Sequence, residues 1–169
     1  MKNLTEMYLE LRDPIYRYLL RLSGDYNLAE ELTQETFFQA ILALPRFRKE
    51  ASAKTWLFAI ARNVYLRKIR GKNRISFLTE EIQEPTACAQ TDPQACLEKD
   101  EQDKTIAMAL DELPEIYRTV VILRACENLS YAEIAVIFGK TENWVRVTFF
   151  RAKQLLRASY LKLEGGEED

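Results

Sequence analysis

From Leu4 to Arg74 the apolar residues recur at spacings of three and four, with no alternating stretch. That is the period of a helix, not of a strand. Breakers are few, namely Pro14, Gly24, Pro45 and Gly71, so Leu4 to Leu22 predicts one or two helices ending at Ser23–Gly24. Asn27 or Asp25 can cap a second helix running through LAEELTQETFFQAILAL to Pro45, and the loop RFRKEASA leads into a third helix near Thr55. In the second helix Leu28, Leu32, Phe37 or Phe38, and Ile41 supply the expected buried side, while Glu30, Glu31, Thr33 and Gln34 point away from it. In the third, Leu57, Ile60, Ala61 and Val64 form the core stripe. Trp56, Asn63, Arg67 and Arg70 fall within about 60° of one another on the adjacent stripe.

Periodicity lapses over residues 76–103, where Pro85 and Pro93 sit in a Thr, Gln, Ala and Cys mixture. This is a linker composition. Helical spacing resumes from Ile106 to Leu113, and LPEIYRTVVILRACENLS reads as helix, stop and cap. Ser130 and Glu133 have the capping-box spacing ahead of Ile134, Ala135 and Phe138, and Gly139 stands where a helix ends in a left-handed residue. A last helix, roughly Glu142 to Leu161, turns Val145, Phe149, Ala152 and Leu156 inward. Helix, glycine turn and helix at this spacing make a helix-turn-helix, whose second helix enters the major groove of DNA. Facing outward are Asn143, Val147, Phe150, Arg151 and Gln154, flanked by Arg146, Lys153 and Arg157. Such cations clamp phosphates, Asn143, Arg146 and Gln154 can reach base edges, and Val147 and Phe150 suit a thymine methyl. A solvated helix face would show the same spacing.

The expected fold is therefore all-α, with two small helical domains at 1–75 and 104–163, a flexible acidic linker at 76–103 and a tail at 164–169. Charge follows this division. Residues 1–75 hold 14 Lys and Arg against 8 Asp and Glu, whereas residues 76–103 hold 1 against 8. Between Ile116 and Leu163 there are 8 basic and 3 acidic residues, and the acids Glu164, Glu167, Glu168 and Asp169 crowd the end. Two basic modules on an acidic tether suit a polyanion gripped at two places, which the net charge of -2 conceals. Thr55 to Arg74 alone carries Arg62, Arg67, Lys68, Arg70, Lys72 and Arg74. With Trp56 and Asn63 on the same helix, this pattern fits a reader of an unstacked base and its phosphates; core packing of Trp56 is the competing account.

Three cysteines (Cys88, Cys96, Cys126) and no histidine make neither a zinc site nor the usual acid–base pair. No metal or cofactor is expected. Cys126 reads as a small core residue, and Cys88 and Cys96 as free thiols of a reducing compartment, with a reversible disulfide as the alternative. No apolar run is long enough to span a membrane, and MKNLTEMYLELRD carries acids where a signal peptide is apolar. A cytoplasmic protein is expected.

LAEELTQETFFQA, TWLFAIARNVYLRKIRGKNR, the acidic linker, LPEIYRTVVILRACENLSYAEIAVIFG and VRVTFFRAKQLLR, in that order, closely resemble the bacterial extracytoplasmic-function (ECF) sigma factors, over roughly Tyr8 to Leu161. The resemblance implies a two-domain initiation factor without an active site of its own. In such factors the segment matching Glu31, Leu32, Thr33, Gln34, Glu35, Thr36 and Phe37 binds the clamp helices of the largest subunit of core RNA polymerase. The loop and helix that follow recognise and open the promoter -10 element, which maps onto Phe47, Arg48, Lys54, Trp56, Arg62, Asn63, Arg67 and Arg70. The second helix of the C-terminal domain reads the -35 element, matching Asn143, Arg146, Val147, Thr148, Phe150, Arg151 and Lys153. Members are typically restrained by an anti-sigma factor, often membrane-anchored. The family's common V-K-S-R at this helix is replaced here by Val145-Arg146-Val147-Thr148, so the -35 sequence does not carry over.

Two rivals remain at this stage. One is a helix-turn-helix regulator that binds duplex DNA without joining polymerase. The other is an enzyme acting on nucleic acid with Glu30, Glu31 and Glu35 as metal ligands.

Overall fold

A computed structural model describes residues 3–48, 50–76 and 101–167, with the side chains of 72–76, 101, 102 and 167 excepted. Most of the expected linker, with Cys88 and Cys96, lies outside the described residues, as do Lys49, the side chains of Lys72 and Arg74, and the last two residues of the tail. Every regular element among the described residues is a helix, and the chain divides into two compact units.

The first unit packs α1 (Leu4–Ser23), α2 (Tyr26–Ala43) and α3 (Ala53–Ser76) on one another. Asn3 starts α1: its side chain accepts the Thr5 and Glu6 amides at 2.7 and 3.1 Å, and the Glu6 carboxylate returns to the Asn3 amide at 3.2 Å. This reciprocal cap satisfies donors that a helix start leaves open. Pro14 sits inside α1 without ending it, and both Met7 before it and Ile15 after it are buried. Gly24 closes the helix at φ 68° and Asp25 caps α2 through the Leu28 amide at 3.0 Å.

The core joins Ile15, Tyr18, Leu19 and Leu22 to Ala29, Leu32 and Phe37, and to Leu57, Phe58, Ala61, Val64 and Tyr65. Tyr18 meets Phe58 edge-on at 5.2 Å, and the Tyr65 hydroxyl donates to the Leu22 carbonyl at 3.0 Å. Filling such a core side chain contributes about 1.5–3 kcal/mol.

The second unit packs α4 (Glu101–Asp111) and α5 (Glu115–Val121) against α7 (Glu142–Glu164), with α6 (Tyr131–Phe138) between α5 and α7 in sequence. Leu113, Val121 and Ala152 meet at its centre under half-buried Leu110, Tyr117, Phe149 and Leu156. Glu101, Gln102 and Asp103 belong to the first turn of α4, not to the linker. A turn of wider π pitch, Ile122–Cys126, continues α5. It adds a residue to the turn and shifts the register. Cys126 is consequently exposed and not a core residue. Ser130 and Glu133 form the expected capping box, at 2.7 and 3.1 Å, and Gly139 closes α6 at φ 62°. α7 runs through Glu164, whose carboxylate accepts from the Tyr160 hydroxyl, so the acidic tail begins inside the helix. That bond holds the Tyr160 phenol protonated above its usual range.

Candidate nucleic-acid interface

Ser52 sets the start of α3: its hydroxyl accepts the Thr55 amide at 3.1 Å and donates to the Thr55 hydroxyl at 2.9 Å. Just upstream a 3-10 turn, Leu44–Arg46, closes on Phe47 through the Leu44 carbonyl at 3.1 Å. The two features bring the rings of Phe47 and Trp56 to 4.6 Å, tilted by 35°. Both rings are half-buried, so Trp56 leans on the loop instead of filling the bundle core. Arg48 is exposed, and half-buried Lys54 places its ammonium 5.9 Å from the Phe58 ring.

From that aromatic pair Asn63, Arg67 and Arg70 continue along α3, all three exposed, and none has a hydrogen-bond or ion-pair partner among the described residues. Arg62 is half-buried. An amide and two guanidinium groups with open donors beside a stacked ring pair can hold phosphates and one face of a base.

On α2 the seven residues matched to polymerase binding divide into two sets. Glu31 and Gln34 are exposed and Glu35 half-buried, whereas Leu32, Thr33, Thr36 and Phe37 are buried. The outward placement expected of Thr33 is corrected. Its hydroxyl donates to the Ala29 carbonyl and that of Thr36 to the Leu32 carbonyl, each at 2.7 Å, which removes the need for water. Ala29, Thr33, Thr36 and Ala40 thereby share the buried stripe with Leu32 and Phe37. Of the two candidates Phe37 and Phe38 it is Phe37 that goes inside; Phe38 turns outward at 54% exposure, and Ile41, expected inside, does so at 49%, next to exposed Leu42. The exposed face of α2 is thus acidic and amide-rich at its middle and apolar toward its end.

Glu31, Gln34, Glu35 and Phe38 line a groove of about 530 Å³ that Val64, Arg67 and Lys68 of α3 complete. Arg67 borders this acid-lined groove. The carboxylates in question all have neighbours: Glu30 meets Arg12 at 3.4 Å, Glu31 meets Lys68 at 2.7 Å, and Glu35 accepts from Gln39 at 2.7 Å. Glu30 also helps raise the Tyr16 phenol, after the larger effect of burial. No group of three potential ligands is placed to hold a metal ion among the described residues.

In the second unit Thr141 caps α7 by accepting the Trp144 amide at 3.1 Å. Asn143, Arg146, Val147, Phe150, Arg151, Lys153 and Gln154 are exposed, Phe150 at 58%. Lys153 packs its ammonium 4.9 Å from the Phe149 ring. Thr148 is the exception. It is 7% exposed, and its hydroxyl donates to the Trp144 carbonyl at 2.7 Å. Lying three residues after Val145 and four before Ala152, it shares their inward stripe, a spacing legible in the sequence.

Family profiles described as Sigma-70 region 2 and Sigma-70, region 4 match residues 7–75 and 103–156. The RNA polymerase sigma factor YlaC of Bacillus subtilis is 30% identical, over 95% of this chain and 93% of its own length. The ECF sigma factor SigC of Mycobacterium tuberculosis is 35% identical over 85% of this chain and 76% of its own length. This chain belongs to the ECF sigma factors. The sigma factor RpoE of Bartonella quintana, crystallised with the anti-sigma factor NepR, shares the fold of this sigma factor with a TM-score of 0.75 at 23% identity. That likeness covers 96% of this chain and 98% of RpoE. CnrH, solved with the cytosolic domain of CnrY, has a TM-score of 0.66 at 19% identity over 92% of this chain and 85% of its own. No helix among the described residues is long and apolar enough to cross a membrane.

Proposed function

We propose that this ECF sigma factor binds core RNA polymerase through the outer face of α2, opens the -10 element with α3 and reads the -35 element with α7. Glu31, Gln34 and Glu35, with exposed Phe38, Ile41 and Leu42, are the surface offered to the clamp helices of the largest subunit. Buried Leu32, Thr33, Thr36 and Phe37 hold that surface in shape from beneath.

One observation supports this reading most. The exposed row Asn63, Arg67 and Arg70 begins beside the Phe47–Trp56 stack, on the helix next to the acidic face of α2. Unstacking a base costs a few kcal/mol, and stacking on an aromatic ring returns about 1–3 kcal/mol per base. A preformed platform with phosphate donors can therefore hold an opened strand without any bond being made or broken. The chain supplies specificity and no chemistry of its own.

The setting is the cytoplasm, where polymerase and promoter are found. NepR and CnrY are bound to structural relatives; an anti-sigma factor, often membrane-anchored in this family, is the corresponding antagonist here. Run-off transcription by core polymerase plus this chain on a promoter library tests the proposal. Transcripts that start at a common pair of spaced elements are expected, and none without the chain.

A further inference from the structure

Arg146 is the one cation on the outer face of α7 whose guanidinium is fixed from two sides among the described residues. Its Nη2 donates to Glu142 one turn earlier at 3.0 Å, and its Cζ lies 5.2 Å from the centre of the Tyr131 ring. Tyr131 is itself held. Arg124 stacks on the same ring at 4.7 Å, Arg124 Nη1 donates to the Leu129 carbonyl at 3.0 Å, and Phe149 lies 6.0 Å away. Neighbouring Asn143 and Arg151 have no such contacts.

Stability does not account for the arrangement. Arg146 and Glu142 are 60% and 50% exposed in their side chains, and an exposed pair contributes less than about 1 kcal/mol. Orientation and charge are what it changes. A guanidinium offers five donors in a rigid fork, and one bond to Glu142 leaves the others pointed in a set direction. The pair is also close to neutral, so it attracts phosphates less than an isolated arginine does.

We propose that Glu142 and Tyr131 are specificity-determining positioning residues: they convert Arg146 from a general phosphate clamp into a directed reader of one -35 base pair. The inference rests on the reading of α7 as the promoter helix. Glu142→Gln keeps the size of the side chain and removes the charge. It should leave Arg146 able to seek phosphates, which flattens the preference at the base pair Arg146 reads and steepens the salt dependence of promoter binding.

The test uses holoenzyme, formed from the full chain and core polymerase, to select bound promoters from a library randomised over the -35 element. Wild type, Glu142→Gln, Arg146→Ala and the double variant are compared. Glu142→Gln is expected to lower the enrichment at one or two adjacent positions about two- to fivefold, with no further loss in the Arg146→Ala background. Tyr131→Leu, whose folding is checked by thermal unfolding, should lower it at the same positions. An unchanged profile in Glu142→Gln overturns the proposal. So does an equal change with and without Arg146, which marks bulk charge as the cause. If wild-type holoenzyme shows no -35 preference at all, the parent reading of α7 fails and this inference with it.

Discussion

Lys68 of α3 donates to Glu31 of α2 at 2.7 Å, across 37 residues of sequence. The bond ties the helix proposed to hold promoter DNA to the face proposed to meet polymerase. Its two side chains are 38% and 61% exposed, which places the pair among those contributing less than about 1 kcal/mol.

Glu31→Gln should therefore shift unfolding stability by under about 1 kcal/mol while weakening attachment to core polymerase. Denaturant melts and a competition assay against a labelled second sigma factor measure the two separately. A loss of several kcal/mol would assign Glu31 to the fold and not to the partner.

Asn63→Ala separates folding from function most cleanly. Alanine is the better helix former by roughly half a kcal/mol, and the exposed Asn63 side chain has no partner to lose. The variant should be as stable as wild type or slightly more so, bind polymerase normally and open promoters poorly. Permanganate reactivity of unpaired thymines reports the opening.

Arg67→Ala and Arg70→Ala should each lower promoter affinity across sequences and reduce the slope of log affinity against log salt by about one. Titration of holoenzyme on a fixed promoter at several salt concentrations checks this. If both slopes stay at the wild-type value, these cations do not touch phosphate.

Much of the fold was legible because its signals are local. Caps and stops at Asp25, Gly24, Ser130, Glu133 and Gly139 need only a few residues of context, and all lie where the sequence places them. What the sequence hid came from three physical sources. Thr33 and Thr36 look like surface residues, yet each returns its hydroxyl to the carbonyl four residues back and goes inside. With those threonines beside Leu32 and Phe37 in the buried stripe, Ile41 is left outside. The wider turn at Ile122–Cys126 breaks the helical count and exposes Cys126, and nothing in the spacing announces it. Long-range pairings such as Lys68 with Glu31 have no local signature at all. In the candidate site, the outward row of α3, most of α7 and the i,i+4 spacing of Glu142 and Arg146 were legible from period alone, whereas the seating of Arg146 on the Tyr131 ring required coordinates.

Two glycines should respond in opposite directions. Gly139 sits at φ 62° and a Cβ there meets nothing within 4 Å, so Gly139→Ala is opposed by the backbone alone. It should cost about 1–2 kcal/mol. Gly71 lies within α3 with equally open space, and Gly71→Ala should stabilise by up to about 1 kcal/mol. Thermal unfolding of the two variants measures both signs.

Phe47→Ala removes the ring that braces Trp56. The pair is worth about 0.5–1.5 kcal/mol, too little to unfold the first unit, so the expected defect is slower opening at unchanged polymerase affinity. Fluorescence of 2-aminopurine placed in the -10 element follows the rate.

The most direct measurement mixes the purified, folded chain with core RNA polymerase and passes the mixture over a sizing column. The account predicts one-to-one co-elution, weakened by Glu31→Gln and untouched by Asn63→Ala. A folded chain that elutes wholly apart from polymerase would contradict it.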